Sequence, residues 1–287
     1  MRTESGLAWR KGIPRYDGWM SIRIRPARGS DYATFVRLFP ELDVPDPTPE
    51  RDQWERDFAP SSWIAEDDTG PKGVVYVNVL SETGYVRMIM VDPTARRQGI
   101  GRALMKTAEA RFREAGCTSW CLNTYPHNTK AIPLYESLGL RKTHDMIVVE
   151  LPWKTLDGVT PAPDVRTRTP QPADDAHIEK TLGLLAGELA MGRAKGDRPL
   201  FVLEGAGGET LGAAVMDPRF PGAKPFKVVR PELAPTLLLA LRPHVLPGKD
   251  IVLNLPIEAQ PELVAALVAL GGREKLRVQH MKGALSR

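Results

Sequence analysis

The sequence predicts a mixed α/β protein whose helices pack in layers against a central sheet. Apolar stretches of strand length recur along residues 21–151 and are separated by turn-forming residues. Between two of them, apolar residues recur at helical spacing from residue 99 to residue 115. Because strand and helix patterns alternate along the chain and do not form separate blocks, the class is mixed α/β.

The predicted elements of the first half follow the order β-α-α-β-β-β-α-β-α-β. Predicted strands cover residues 21–26, 62–66, 73–80, 85–91, 119–123 and 146–151, and predicted helices cover residues 32–39, 51–58, 99–115 and 128–138. The first strand alternates, and Ser30-Asp31 is a suitable cap for the helix after it. A Pro- and Asp-rich stretch at 40–49 predicts a loop. The turn residues Asp67-Asp68-Thr69-Gly70 predict a hairpin between the second and third strands.

The helix at 99–115 has the clearest amphipathic pattern. Its apolar face consists of Ile100, Ala103, Leu104, Ala108 and Phe112, and its charged face consists of Arg102, Lys106, Glu109 and Arg113. Gly116 is suited to end this helix, because glycine adopts the left-handed conformation of a C-cap. In the same way, Asn128 is suited to begin the helix at 128–138 and Gly139 to end it.

Prolines and a glycine cluster at 151–163, which is typical of a linker. Beyond it the pattern restarts: Val165-Arg166-Thr167-Arg168 resembles Ile22-Arg23-Ile24-Arg25, and Leu270-Gly271-Gly272-Arg273 resembles Leu138-Gly139-Leu140-Arg141. The two similar segments occur in the same order in both halves of the sequence. This order indicates a diverged internal duplication, with two unrelated α/β domains as the alternative. The predicted organisation is a flexible N-terminal extension at 1–20, a first domain at 21–152, a linker at 153–163 and a second domain at 164–287.

Composition and charge exclude several classes of protein. Hydrophobic residues make up 42% of the chain and charged residues 26%, as in globular proteins with a core. The net charge of +4 is dispersed without a long Lys or Arg block, so no nucleic-acid partner is expected. No run approaches the roughly 20 apolar residues of a membrane span, and no signal-peptide core begins the chain. We therefore expect a cytoplasmic protein without a membrane partner.

The chain contains two cysteines, Cys117 and Cys121. Two cysteines cannot form a disulfide framework, and no second pair of metal-ligand type lies near them in the sequence. We interpret both as packing residues around a buried strand, and no metal is expected.

The most informative stretch lies at 91–101, where a strand ends and two glycines open the amphipathic helix. The first turn of a helix has backbone N–H groups without intrahelical partners and carries the positive end of the helix dipole. Gly99 and Gly101 remove side chains that would keep a ligand away from those donors, and Arg96 and Arg97 add positive charge. The stretch predicts a pyrophosphate site, with an ordinary loop as the alternative. It lacks the third glycine of a dinucleotide fingerprint and the Lys-Ser/Thr of a P-loop.

Two motifs resemble those of one known family. Arg96-x-x-Gly99-x-Gly101, which follows Met90-Val91-Asp92-Pro93, resembles the Q/R-x-x-G-x-G/A signature of the GCN5-related N-acetyltransferase (GNAT) superfamily. The segment 128–140, NTKAIPLYESLGL, resembles the family's N-x-x-A-x-x-x-Y-E-x-x-G-F segment, with Leu140 in place of the final aromatic residue. The resemblance covers about residues 21–151. It implies a GNAT-type central mixed sheet flanked by helices, and the echo beyond the linker implies two tandem GNAT-like domains.

The resemblance implies acetyl-CoA as the acyl donor and assigns roles to particular residues. Backbone groups of Met90 and Val91 would hold the pantetheine and the thioester carbonyl. The pyrophosphate would lie on the loop and helix start, which comprise Arg96, Arg97, Gln98, Gly99, Ile100 and Gly101. Asn128 would contact the cofactor, with a helix cap as the alternative. Tyr135 would contact the cofactor and protonate the departing CoA thiolate, with a helix tyrosine packed on the sheet as the alternative.

The resemblance implies direct attack of a neutral amine on the thioester, with the amide of Val91 polarising the oxyanion. It does not identify the base that removes the proton of the amine. Many family members have a carboxylate where this chain has Tyr85 or Arg87 and Asn123. Four other candidates stay open, each with a solvated surface residue as the alternative reading: His127, His144, Glu82 and Glu66.

The second predicted domain lacks the glycine turn. After the predicted strand at 226–229 comes Arg230-Pro231-Glu232-Leu233-Ala234-Pro235, which has no glycine and two prolines without an N–H to donate. The segment 257–270, which corresponds to the Asn/Tyr motif, has no tyrosine. We expect this domain to have lost cofactor binding. Covering the acceptor groove, contacting substrate and forming a homodimer stay open as its role.

Three functional classes stay open, and the resemblance favours the first. The first is an active N-acetyltransferase that acts on a small amine or a protein amino group, with acetyl-CoA and an amine acceptor as its partners. The second is a CoA-binding sensor, favoured by the missing carboxylate, and the third is a scaffold, which the intact motifs argue against. Acidic residues between 41 and 57 fall where the family has substrate-facing helices. They would attract a cationic amine, or form an exposed acidic loop.

Overall fold

The structure is a computed structural model that describes residues 22–219, 222–248 and 251–285. It confirms the mixed α/β class. The predicted extension at 1–20 lies outside the described residues. The described chain forms two compact units: residues 22–78 and 86–111 form the first unit, and residues 79–85 and 112–285 form the second. The predicted domain boundaries at 152 and 163 stay predictions.

The described residues form twelve strands and eight α-helices. The strands are β1 (Arg23–Pro26), β2 (Ser62–Asp67), β3 (Gly70–Leu80), β4 (Thr83–Val91), β5 (Ser119–Thr124), β6 (Arg141–Pro152), β7 (Val165–Arg168), β8 (Leu200–Gly205), β9 (Thr210–Asp217), β10 (Gly222–Val228), β11 (Val252–Glu258) and β12 (Arg273–Ala284). The helices are α1 (Tyr32–Leu38), α2 (Arg51–Gln53), α3 (Ile100–Glu114), α4 (Ile132–Ser137), α5 (Asp175–Leu182), α6 (Glu188–Ala194), α7 (Ala234–Leu241) and α8 (Pro261–Ala269). In this part of the chain, no helix has both the length and the apolar character needed to span a membrane.

The element order predicted for the first half is confirmed from β1 to β6. Two predicted helices are shorter than expected. The helix predicted at 128–138 begins only at Ile132, because Pro133 is tolerated only in the first turn of a helix. The helix predicted at 51–58 divides into α2 and the π-helical turn Trp54–Phe58, which places Trp54 in the core.

In the first unit, the sheet has the order β1-β2-β3-β4. The predicted hairpin joins β2 and β3, with Asp67 opposite Gly70. Phe35 of α1 and Trp54 stack at 4.6 Å between ring centroids, and both are fully buried. Gly73 lets α3 approach β3, since a Cβ on Gly73 would lie only 3.0 Å from Leu104 Cδ1. This close approach fixes the first turns of α3 against the sheet.

In the second unit, the strand order is β5-β12-β6-β11-β10-β9-β8-β7. The last strand of the first half, β6, lies between β11 and β12 and is antiparallel to both. The last strand of the second half, β12, lies between β5 and β6. The two halves of the sequence therefore exchange their final strands, which the restart of the sequence pattern did not predict.

Residues of the predicted linker contribute to the core of the second unit. Trp153 and Leu156 form a 3-10 turn directly after β6, and both are buried. They belong to the same apolar cluster as Leu237 of α7 and Leu263 of α8. The start of the linker therefore packs with the second half of the sequence.

One ion-pair network occurs twice and supports the predicted duplication. In each copy, a glutamate pairs with two arginines of the neighbouring strand. The second arginine also pairs with an aspartate. The carboxylate of that aspartate accepts a hydrogen bond from the backbone N–H of the residue three positions earlier. The copies are Arg23, Arg25, Glu66 and Asp31 in the first unit and Arg166, Arg168, Glu204 and Asp174 in the second. The register is also the same, since Arg23 lies opposite Glu66 and Arg166 lies opposite Glu204.

Gly84 is required by the packing of the second unit. A Cβ on this residue would lie 2.1 Å from Cγ of Phe112, whose ring is fully buried. We expect Gly84→Ala to lower the free energy of unfolding by about 1–3 kcal/mol, because overpacking forces the ring to move. Urea unfolding measures this loss. The double variant Gly84→Ala/Phe112→Leu should lose less than the sum of the two single losses, and strictly additive losses would show that the clash is not the cause.

Candidate active site

The loop after β4 is held in place by the side chain of Asp92. Its Oδ1 accepts hydrogen bonds from the backbone N of Thr94 at 3.0 Å and from Thr94 Oγ1 at 2.7 Å, and Arg37 of α1 pairs with its Oδ2. These bonds from Thr94 and Arg37 lower the pKa of the Asp92 carboxyl to about 2. Asp92 is therefore ionised at neutral pH and fixes the start of the turn that leads into α3.

The turn between β4 and α3 presents an open backbone surface, as the glycine pattern predicts. Arg97 and Gly99 adopt left-handed conformations, with φ of 65° and 84°. Residues 97–99 are exposed, and a Cβ on Gly99 would meet no atom within 4 Å. The amide of Ala103 already bonds to the carbonyl of Gly99 at 2.9 Å. The backbone N–H groups of the residues just before Ala103 are therefore the ones that have no hydrogen-bond partner within the helix.

Arg96 is engaged on both sides of its guanidinium group. Its Nε donates to the carbonyl of Val91 at 3.3 Å, and its Nη2 pairs with Glu41. Val91 ends β4, and Met90 before it is buried. An anionic ligand on this turn would therefore compete with Glu41 for Arg96.

The second motif lies in the second unit, where Asn128 holds the turn before α4. Its Oδ1 accepts from the backbone N of Ala131 at 3.2 Å, and its Nδ2 donates to Thr124 Oγ1 at 3.1 Å. The N-cap of α4 is Ala131, so Asn128 caps the turn and not the helix itself. An amide nitrogen carries two hydrogens, so the bond to Thr124 is compatible with the predicted cofactor contact.

Tyr135 lies in the middle of α4 and is 5% exposed. Burial raises the pKa of its phenol to about 12, because the ionised form loses hydration. The phenol is therefore protonated at neutral pH, which is the state that a proton donor needs.

Three of the four predicted base candidates lie in surroundings that do not favour the role. Glu66 is the centre of the ion-pair network in the first unit: burial alone would raise the pKa of its carboxyl, but hydrogen bonds from Arg23 and Arg25 lower it. Glu82 and His127 are exposed. The fourth candidate, His144, is part of a larger group.

A row of polar side chains, here called the polar row, crosses one stretch of the sheet in the second unit. It consists of Tyr85, Asn123, His280, His144, Glu258 and Lys224, taken in order from β4 to β10. Successive members are 2.8, 2.8, 4.6, 3.9 and 2.5 Å apart, the third value being between ring centroids. The row begins at Tyr85 and Asn123. The resemblance matches Asn123, and either Tyr85 or Arg87, to positions where many family members have a carboxylate.

The sequence did not indicate three members of the polar row: His280, Glu258 and Lys224. These residues belong to the second half and reach the row through the strand exchange, so no spacing in the sequence signals them. His280 lies on β12, and a strand pattern in a sequence does not reveal which strand becomes its neighbour.

The acidic segment between 41 and 57 includes several ion pairs with arginines. Glu55 pairs with Arg51 and Asp52 pairs with Arg56, each at 3.5 Å on the surface. Exposed pairs of this kind contribute little to stability, and the attraction of a cationic acceptor to this segment stays a prediction. Over the described ranges, no group of three or more His, Cys, Asp or Glu side chains is placed to hold a metal ion.

In the second half, prolines occupy the place of the glycine turn. A 3-10 turn, Pro231–Leu233, follows β10, and α7 has Pro235 in its first turn. A proline has no N–H, so these turns offer fewer donors to an anion than the turn before α3.

Comparison with known proteins agrees with the sequence resemblance. Residues 31–140, which include the turn before α3 and Tyr135, match the model of the acetyltransferase (GNAT) family. The chain is 44% identical over 63 residues to N-alpha-acetyltransferase 30 of Dictyostelium discoideum. This match covers 22% of the chain and 34% of the relative, so the chain spans about a third of the length of this protein.

Solved structures with the same fold extend over both halves of the chain. A putative acetyltransferase from Pyrococcus horikoshii has a TM-score of 0.67 at 15% identity, and the match covers 97% of this chain and 93% of that one. A tandem GNAT protein from the clavulanic acid biosynthesis pathway has a TM-score of 0.58 at 19% identity, with 93% and 99% covered. At these identities the likeness concerns the fold alone, and it confirms the predicted tandem GNAT-type class.

Proposed function

Because residues 31–140 belong to the acetyltransferase (GNAT) family, we propose that the chain transfers an acetyl group from acetyl-CoA to a primary amine. The observation that carries this proposal is the turn before α3. Arg97 and Gly99 adopt left-handed conformations there, and the turn is exposed at the positive end of a 15-residue helix. Backbone N–H groups at such an end bind anionic oxygens well, and acetyl-CoA carries a pyrophosphate.

We propose that the residues of the two motifs hold the donor. The amides from Arg96 to Gly101 bind the pyrophosphate, and the Arg96 side chain exchanges Glu41 for a phosphate oxygen. The backbone of Met90 and Val91 holds the pantetheine and the thioester carbonyl. These assignments follow from the motif resemblance, and the open surface at Gly99 supports them because it leaves room for a bulky anion.

The proposed reaction is direct attack of the amine nitrogen on the thioester carbon. The C–N bond forms, the C–S bond breaks, and the amide of Val91 stabilises the oxyanion between these events. The Tyr135 phenol gives its proton to the sulfur. Burial keeps that phenol protonated, and burial of a thiolate equally raises its affinity for a proton.

For the acceptor we propose the free α-amino group of a peptide as the first class to test. The support is the name of the Dictyostelium relative, which identifies that protein as an N-alpha-acetyltransferase. A second candidate function is a CoA-binding sensor, favoured because this chain has Tyr85 or Arg87 and Asn123 where many family members have a carboxylate. A homodimer stays a prediction.

The test of this proposal is a titration of the full chain with acetyl-CoA by calorimetry, followed by a CoA-release assay. The amines are a short peptide with a free N-terminal alanine, spermidine and kanamycin. Dissociation constants of roughly micromolar size with amine-dependent CoA release would support the enzyme. Binding without release for any amine would favour the sensor, and no binding would refute both.

A further inference from the structure

Two ion pairs connect the segment after β4 to the end of α1 and to the 3-10 turn that follows α1. Residues 93–95 form a short 3-10 turn of their own, with Asp92 as its N-cap and Arg96 as its C-cap. Arg37, in the last turn of α1, pairs with Asp92, and this is here called the inner pair. Glu41, just after α1, pairs with Arg96, and this is called the outer pair. All four side chains belong to the first unit.

The inner pair is fixed by several further hydrogen bonds. The carboxylate of Asp92 also accepts from the backbone N and the hydroxyl of Thr94, and its backbone N donates to the carbonyl of Lys72 at 2.8 Å. Nη2 of Arg37 donates to the carbonyl of Pro71 at 2.8 Å. The Asp92 side chain is 12% exposed, so breaking the pair would leave a poorly hydrated carboxylate. The inner pair therefore holds the start of the 3-10 turn at 93–95 against α1 and β3.

The outer pair is more open to solvent. The side chain of Glu41 is 27% exposed and that of Arg96 is 36% exposed, so water can solvate both groups when they separate. Nε of Arg96 donates to the carbonyl of Val91 at 3.3 Å, whereas Nη2 makes the bond to Glu41. Nη2 can therefore leave Glu41 for another anion while Nε keeps its own bond.

We propose that the two pairs act on donor affinity in opposite directions: the inner pair positions the turn for the pyrophosphate, and Glu41 competes with the pyrophosphate for Arg96. The inference rests on the proposed function and deepens it, because it identifies what regulates the affinity for acetyl-CoA. A phosphate oxygen gains a charge-assisted hydrogen bond from Arg96, but it must first displace Glu41. The displaced carboxylate then repels the phosphate. Asp92 therefore strengthens donor binding, and Glu41 weakens it.

The signs of these two effects separate positioning from net charge. Asp92 and Glu41 are both carboxylates that pair with an arginine in the first unit. If only the charge around the turn mattered, removal of either carboxylate would attract an anionic donor more strongly. Under the proposal, removal of the Asp92 charge releases the 3-10 turn and moves the backbone N–H groups after it. Binding then weakens although the change of charge favours an anion.

The test compares Asp92→Asn and Glu41→Gln with the parent chain in calorimetric titrations with acetyl-CoA. We expect Asp92→Asn to raise Kd about tenfold, the size expected for losing one hydrogen bond to a charged group. We expect Glu41→Gln to lower Kd about threefold, within the range that exposed ion pairs contribute. In the CoA-release assay, KM for acetyl-CoA should change in the same directions. The kcat of both variants should stay within about twofold of the parent, because binding and not the chemical step is changed.

Asp67→Asn is the matched control for Asp92→Asn. Oδ1 of Asp67 accepts from the backbone N and from the hydroxyl of Thr69, each at 2.7 Å, as Asp92 does from Thr94. Asp67 lies in the hairpin between β2 and β3 of the same unit. The control therefore removes the same charge from the same kind of turn, and Kd should stay within about twofold of the parent.

A double-mutant cycle tests whether Glu41 acts through Arg96. In the background Arg96→Gln, Glu41→Gln should tighten binding less than it does in the parent, because there is no guanidinium group left to compete for. An equal gain in both backgrounds would refute the competition. Tighter binding by Asp92→Asn as well as by Glu41→Gln would show that net charge alone acts, and would overturn the inference while the donor site stands. A parent that does not bind acetyl-CoA would refute the proposed function itself.

Discussion

Gly99→Glu is expected to abolish measurable binding of acetyl-CoA. The substitution places a carboxylate on the exposed turn where the pyrophosphate is proposed to lie, and it forces a non-glycine residue to adopt a φ of 84°. The added carboxylate would repel the pyrophosphate, and the changed backbone would move the N–H groups proposed to bind it, so both effects weaken binding. We expect the dissociation constant to rise at least about 100-fold, or about 2.7 kcal/mol, in a calorimetric titration.

Gly116→Glu is the matched control for this substitution. Gly116 lies just after the other end of α3, has a φ of 79°, and a Cβ on it would also meet no atom within 4 Å. The two variants therefore carry similar backbone strain and the same added charge, at opposite ends of one helix. If both variants bind acetyl-CoA equally well, the turn before α3 does not hold the pyrophosphate.

Tyr135→Phe is expected to lower kcat by about 100-fold and leave the affinity for acetyl-CoA nearly unchanged. The substitution removes one oxygen and its proton from a side chain that is 5% exposed, and the ring keeps its packing. Proton transfer by a positioned side chain contributes about 100-fold or more to such reactions. Steady-state turnover measures the first quantity and calorimetry the second. An unchanged turnover would remove Tyr135 from the mechanism.

Tyr76→Phe is the control for the loss of a buried phenol. Tyr76 on β3 is 7% exposed, and its hydroxyl accepts a hydrogen bond from Asn78. We expect this variant to retain the turnover of the parent.

The raised pKa of Tyr135 also predicts a stability change with pH. Burial favours the neutral phenol, so its contribution to stability is fully present below pH 10, the ordinary value for tyrosine, and is lost as pH rises from about 10 to about 12. Tyr135→Phe should be less sensitive to pH than the parent over this window, as measured by urea unfolding at fixed pH values.

The sequence by itself determined the local elements and the two motif segments of the candidate site. Helix periodicity and the glycines at 99 and 116 located α3 within one residue at each end. This was possible because the amphipathic pattern and the glycines at its ends are features of neighbouring residues. The glycine turn and Tyr135 were likewise visible, because each motif lies on a continuous segment. Prediction of helix ends was less accurate where two sequence features conflicted. Asn128 predicted a helix start at 128, but α4 begins only at Ile132 because of Pro133.

Only the tertiary structure decided which strands became neighbours, and with them which side chains form the polar row. Backbone hydrogen-bonding groups are the same for every residue type except proline, so β6 can pair with β11 and β12 as well as with strands of its own half. The choice depends on packing between distant segments, such as Trp153 and Leu156 against α7 and α8. His280 and Glu258 therefore reach His144 through pairing between strands of different halves, which no sequence spacing encodes.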